Sequence, residues 1–366
     1  MRSTVAIIGG GYAGIAVAKG LDDVADVTLI DPRDTFVHNV AALRGVIDPE
    51  WTDRLFLPYG GLLGNGRVLR DRAVRVESGT IGLASGAELA ADYIVLATGS
   101  TYPFPAKLHT LDSADGKAEL RATYAELVDA DKVLLLGAGP VGLEFAGEIK
   151  AAWPDKAVTI VDPLDDILSG GYGDEFRTEL RRQLDAMGVE LVLGARLRAE
   201  PDAPVGKRQP TTATTESGRE LIADIWFRCY GVAPVSDYLS GDLASARQPT
   251  GHVAVTDELR VMGQERVFAI GDVTNTPEGK TAWAAEKHAE VVVANIQAMI
   301  EGGDELTSYV PEPPAIVLPL GPQGGASYAP AMGGLLDAAT TTQIKSAHLF
   351  VGHYAEILGV DLPVGA

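Results

Sequence analysis

The sequence predicts an α/β protein of two similar parallel-sheet units, the second inserted into the first, with a small α+β segment at the C-terminal end. Three observations predict it. A strand–glycine turn–helix–strand pattern fills residues 4–31, the same pattern returns over residues 133–162, and a later apolar strand, 267–272, ends in an acid.

The first unit opens with TVAII, an apolar β-rich run followed at once by Gly9, Gly10, Gly11, Tyr12, Ala13 and Gly14. The helical stretch IAVAKGL comes next, then the apolar run VTLI, which ends at Asp31. In such a unit the first glycine permits a tight turn and the second lets backbone N–H groups reach a pyrophosphate. The third lets helix and strand pack closely. The helix N-terminus adds the positive end of its dipole, and the acid accepts hydrogen bonds from ribose hydroxyls. YIVLATG (93–99) supplies a further buried strand whose end, Ala97, Thr98 and Gly99, is a small-residue turn.

The grammar repeats from VLLL through Gly137, Gly139 and Gly142, the helix LEFAGEIKAAW, and AVTIV ending at Asp162. IWFRCYG, ending at Gly231, is the looser counterpart of residues 93–99. One GxGxxG is weak evidence, but two copies in the same context read as a pair of Rossmann-like dinucleotide-binding domains. VFAIGD places Gly271 and Asp272 at the carboxyl end of a strand, where open α/β sheets hold ligands. The expected boundaries put the first domain at 1–110 and 236–302, the second at 111–235, and the C-terminal segment at 303–366.

Composition narrows the function. The 366 residues carry a net charge of −20, which repels nucleic acid and anionic lipid. The single cysteine, Cys229, excludes an internal disulfide, a CxxC relay and a Cys-rich metal site, and no metal is expected. The opening MRSTVAIIGG is too early and too glycine-rich for a signal peptide, and position 2 lacks the glycine that myristoylation needs. No apolar stretch reaches the roughly 18 residues of a membrane span. The expectation is a cytoplasmic protein, with peripheral membrane contact and a homodimer both left open.

The series GGGYAG, ATG, GAGPVG and AIGD resembles the two-dinucleotide-binding-domain flavoproteins. The nearest likeness is to the apoptosis-inducing-factor-like branch, which includes ferroptosis suppressor protein and, more distantly, type II NADH dehydrogenases. It is carried by FVHNVAALR (36–44), LATGSTYPFP (96–105), EFAGEIK (144–150) and TAWAAEKHAEVVVANI (281–296). It spans essentially the whole chain and weakens after about residue 305. The resemblance implies FAD in the first domain and NAD(P)H in the second. Residues Gly9 to Ala13 would hold the FAD pyrophosphate, with Arg44 neutralising it. Asp31 would hold the adenosine ribose, the Ala73 backbone would meet the adenine, and Asp272 would bind the ribityl chain. Glu144 would lie near nicotinamide and flavin, orienting the hydride donor or relaying a proton. The bland alternatives are a surface arginine at position 44 and a dipole-complementing acid at position 144.

Asp162 favours NADH over NADPH, because a carboxylate accepts from a free 2′-hydroxyl and repels a 2′-phosphate; Asp165 and Asp166 add only negative charge. The helix 281–296 should begin near the flavin, its dipole stabilising the reduced ring. On it, Trp283 either walls an acceptor site or packs in the core, and His288 is either functional or a satisfied structural histidine. His38 and Asn39, just before Arg44, are read as helix-capping candidates. Phe350, Tyr354, Ile357 and Leu358 fall at helical spacing. With no Lys or Arg from Leu349 to the end, they read as a packed helix rather than a membrane-docking one.

The function expected is a quinone reductase activity, in which bound FAD takes hydride from NADH and passes electrons to a quinone or similar diffusible acceptor. The alternatives are a flavoenzyme acting on a specialised metabolite and an NADH-dependent reductase of a small iron–sulfur protein. A redox-gated nucleic-acid-binding role is disfavoured by the charge.

Overall fold

The computed structural model describes residues 2–362. The first unit contributes β1 (Thr4–Ile8), α1 (Tyr12–Leu21), β2 (Asp26–Asp31), β3 (Arg67–Arg70) and β4 (Tyr93–Leu96). The second contributes β5 (Lys132–Leu136), α2 (Pro140–Ala152), β6 (Ala157–Val161), β7 (Val189–Val192) and β8 (Ile225–Arg228). Later come β9 (Val267–Ala269), α3 (Ala282–Ile300) and α4 (Val351–Leu358).

Two parallel sheets organise the chain. The first has the order β9-β4-β1-β2-β3 and the second β7-β6-β5-β8, so four strands correspond one to one and β9 is added to the first. Covered on both faces, the central strands β1, β4 and β5 read as near-continuous apolar runs. Both sheets begin at a glycine turn in which an added Cβ on the third glycine, Gly14 or Gly142, would overlap the carbonyl oxygen of the first, Gly9 or Gly137. Gly9 and Gly137 have φ of +105° and +113°, a left-handed backbone that only glycine adopts without strain.

The chain passes between the units twice. At these crossings Ser100–Thr101 pairs antiparallel with Ala233–Pro234. The C-terminal piece touches both units. Its meander, Ile316–Leu320, Gly324–Ala329 and Gly334–Leu336, lies on α2. There an added Cβ on Gly147 would sit 2.5 Å from the Leu320 Cα. Helix α4 turns the other way and buries Tyr354, Ala355 and Leu358 in the first unit's core beside Ile15, Val17 and Ile296. Its apolar face is spent on packing, as the sequence favoured.

Candidate active site

Three turns meet at the carboxyl ends of β1, β4 and β9. An added Cβ on Gly9 would lie 2.5 Å from the Ala97 carbonyl, so the first glycine turn rests on the ATG turn. Gly271 faces Ala13 at the start of α1 and Ala285 in the first turns of α3, so two helix N-termini converge on it. Thr281 caps α3, its Oγ1 accepting from the Ala284 N–H at 3.2 Å. Thr98 Oγ1 donates to the Val235 carbonyl at 2.6 Å, anchoring the ATG turn to the returning chain.

Asp272 follows directly. Its Oδ2 accepts from Ser100 Oγ at 2.6 Å and from Lys107 Nζ at 3.2 Å, and Lys107 also donates to the Ser100 carbonyl at 2.9 Å. Lys107 lies just past the LATGSTYPFP run and no motif announced it. On the far side, the Asp71 N–H donates to the Asp31 carbonyl at 3.1 Å, so the segment leading to Ala73 crosses the end of β2.

The two acids at the strand ends do the same local work. Asp31 Oδ2 accepts from the Gly10 N–H at 2.7 Å and Oδ1 from the Arg33 N–H at 2.8 Å. Asp162 Oδ2 accepts from the Ala138 N–H at 2.7 Å and Oδ1 from the Leu164 N–H at 2.8 Å. Each carboxylate pins its own turn and keeps further lone pairs for a ribose.

The residues fit both cofactors. Gly11 and Gly139 are extended, with φ of −81° and −77°, and an added Cβ on either meets no protein atom within 4 Å. Their Cα atoms therefore face open space at a helix N-terminus, where a pyrophosphate would lie. Gly99, at the end of the ATG turn, likewise faces open space. Arg33 Nε and Thr35 Oγ1, just past Asp31, are buried without a protein partner and are suited to an adenosine.

Glu144 is in the first turns of α2. It is half-buried, and its Oε1 accepts from Lys345 Nζ at 2.9 Å. Burial pushes its carboxyl above the usual range, with the Lys345 ammonium pulling the other way. Lys345 arrives on the π-helical turn Thr342–Ser346, an irregularity often found at functional positions. Sequence reasoning missed it, because TTQIKSAHL carries no pattern that points to a site.

The structure narrows the alternatives for three residues. Arg44 is only 4% exposed and closes on Glu148 of α2, with Nη2–Oε1 at 2.6 Å; its Nη1 donates to the Ser346 carbonyl at 2.6 Å. A guanidinium this buried needs a carboxylate, and Glu148 is that partner, so Arg44 is not the surface arginine of the bland alternative. His288 is buried, and its Nδ1 accepts from the Gly271 N–H at 2.9 Å while Nε2 donates to Glu278 Oε1 at 2.7 Å. Burial lowers its pKa, Glu278 opposing, and the ring braces the turn before Asp272. Trp283 is 60% exposed, its Nε1 donating to Glu312 Oε2 at 3.3 Å, so it is no core residue.

His38 is also buried, with its Nε2 2.6 Å from the Leu349 carbonyl and its pKa lowered by burial to about 4. It makes no capping bond to the short helical turn that follows, and Val40 N–H donates instead to Tyr12 OH at 2.9 Å. Cys229 lies under the second glycine turn, its thiol pushed up by burial to about 12. Among the described residues no group of three or more His, Cys, Asp and Glu side chains could hold a metal, and no helix is long and apolar enough to cross a membrane.

This arrangement has known counterparts. The family described as pyridine nucleotide-disulphide oxidoreductase matches residues 3–295. Apoptosis-inducing factor homolog B of Dictyostelium discoideum is 30% identical, over 99% of this chain and 98% of its own length. Ferroptosis suppressor protein 1 of Homo sapiens is 29% identical, over 88% and 87%. Among solved structures, the sulfide:quinone oxidoreductase of Aquifex aeolicus matches with a TM-score of 0.78 at 18% identity, covering 99% of this chain and 93% of that one. That last likeness is one of fold.

Proposed function

The chain belongs to the pyridine nucleotide-disulphide oxidoreductase family, in its apoptosis-inducing-factor-like branch, and is an FAD-dependent oxidoreductase of nicotinamide dinucleotides; from this premise we propose that it oxidises NADH and reduces a quinone or similar diffusible acceptor. The observation that carries the choice of acceptor is Cys229. The family's name speaks of disulphides, yet this chain has one thiol, buried and held protonated, so electrons have no internal disulfide to enter.

When bound, FAD supplies the hydride-accepting ring, so no protein nucleophile is required. The backbone amides of Gly10 to Ala13, at the N-terminus of α1, would hold its pyrophosphate, and Asp272, braced by Ser100 and Lys107, its ribityl chain. Gly137 to Gly142 and Asp162 would hold NADH. The Gly231 turn, at φ +103°, and the Glu144 side chain would line the nicotinamide end. There Glu144, shared with Lys345, would hold or release a proton. The N-terminus of α3 favours negative charge on the ring side it faces.

A donor and acceptor panel tests this. NADH should exceed NADPH in kcat/KM by about tenfold or more, and Asp162→Asn should narrow that ratio. A short-chain quinone should be reduced faster than a ferredoxin. A better rate with NADPH, or turnover with ferredoxin alone, would contradict the reading.

A further inference from the structure

The buried charges around Glu144 form an alternating chain drawn from three segments. Lys345 comes from the C-terminal turn, Glu144 and Glu148 lie four residues apart on α2, and Arg44 comes from the short helix Ala42–Ile47 of the first unit. Residues four apart on a helix are neighbours on one face. The Arg44–Glu148 pair is almost completely enclosed, with side chains 4% and 7% exposed, and Arg44 also stacks over Trp51 at 4.9 Å. The strand Ile316–Leu320, packed against α2, brings no titratable side chain, so the charged groups facing Glu144 are Lys345, Glu148 and Arg44.

We propose that Arg44 and Glu148 are positioning residues for the reaction: a buried ion pair that sets the proton affinity of Glu144 and, through the Ser346 carbonyl, holds Lys345 against it. The inference rests on reading Glu144 as the acid of the site. Its physical basis is that Coulomb energies between enclosed charges are little screened. Glu148 resists ionisation of Glu144, and Arg44 opposes Glu148. Removing Arg44 therefore leaves an unopposed negative charge beside Glu144, whereas removing the charge of Glu148 leaves an unopposed positive one. The two losses act on Glu144 with opposite sign.

The test follows the carboxyl carbons of labelled glutamate by NMR across pH in the purified FAD-bound protein, with Glu144→Gln assigning the Glu144 signal. Arg44→Met should move the Glu144 midpoint about one pH unit higher and Glu148→Gln about one pH unit lower. Arg44→Lys, which keeps the charge, should stay near the wild-type value. A merely structural role would move both single variants the same way, or neither, and either result would overturn the proposal. Should both variants fail to fold, the wild-type protein still carries the test. The Arg44 Nε–H, 3.1 Å from the Glu148 oxygens, should titrate with the midpoint of Glu144 and stop doing so in Glu144→Gln. An Arg44 signal indifferent to that substitution would overturn it as well. Hydride transfer from NADH left intact in Glu144→Gln would instead remove the premise, with the opposite shifts still in place.

Discussion

The clasp that Asp31 makes on Gly10 and Arg33 is repeated bond for bond by Asp162 on Ala138 and Leu164, at the same 2.7 and 2.8 Å. The surroundings of the two turns differ. In the first, Tyr59 lies over the turn and its hydroxyl donates to the Gly10 carbonyl at 2.9 Å, with Asp31 buried to 3% exposure. In the second, the equivalent position is Ala138, Asp162 is half-buried, and Tyr230 and Val232 beyond β8 are exposed. One local device thus builds two cradles of different enclosure. The closed one suits a resident cofactor and the open one a nucleotide that must enter and leave each cycle.

Substitutions can break this comparison. The largest effects should come from Gly11→Val and Gly139→Val, since an added Cβ at either position meets no protein atom within 4 Å and projects into the cradle. Gly11→Val should yield a folded protein without FAD. Gly139→Val should keep FAD, show a normal flavin spectrum and lose tight NADH binding, as measured by nucleotide titration. Loss of FAD from both variants would mean that the cradles are not separate.

Smaller effects should separate the walls of the turns. An added Cβ on Gly10 would overlap the Tyr59 hydroxyl and come within 3.2 Å of the Asp31 Cβ, so Gly10→Ala should cost about 1–3 kcal/mol of stability. The mirror change Ala138→Gly removes a methyl from the open turn and should cost about 0.5–1 kcal/mol, mostly through the unfolded chain. Thermal denaturation read by circular dichroism and by flavin release would rank the two. Equal losses would mean that the first turn is no more enclosed than the second.

What the sequence revealed and what it hid divide along a physical line. Both glycine turns, the acids at the ends of β2 and β6, and the AIGD turn were legible, because each is fixed by sterics and hydrogen bonding among residues a few positions apart. The partners of the buried charges were not. Lys345 reaches Glu144 across 201 positions on an irregular turn, and Glu148 reaches Arg44 across 104. Such pairs are specified by packing, and neither partner carries a local signature. His288 carries two readings for the same reason: a histidine on this helix invites a chemical role, but its two nitrogens are committed to Gly271 and Glu278, the structural alternative. Trp283 reads as a wall or a core residue, and only the exposed path of the chain around Glu312 shows that it is not in the core.

The most direct test of the account is stopped-flow reduction of the purified protein by NADH, followed by mixing with a short-chain quinone. The account predicts rapid bleaching of the flavin band at ~450 nm and rapid recovery on adding quinone. Bleaching that quinone fails to reverse, with recovery by a different acceptor, would contradict the proposed reaction.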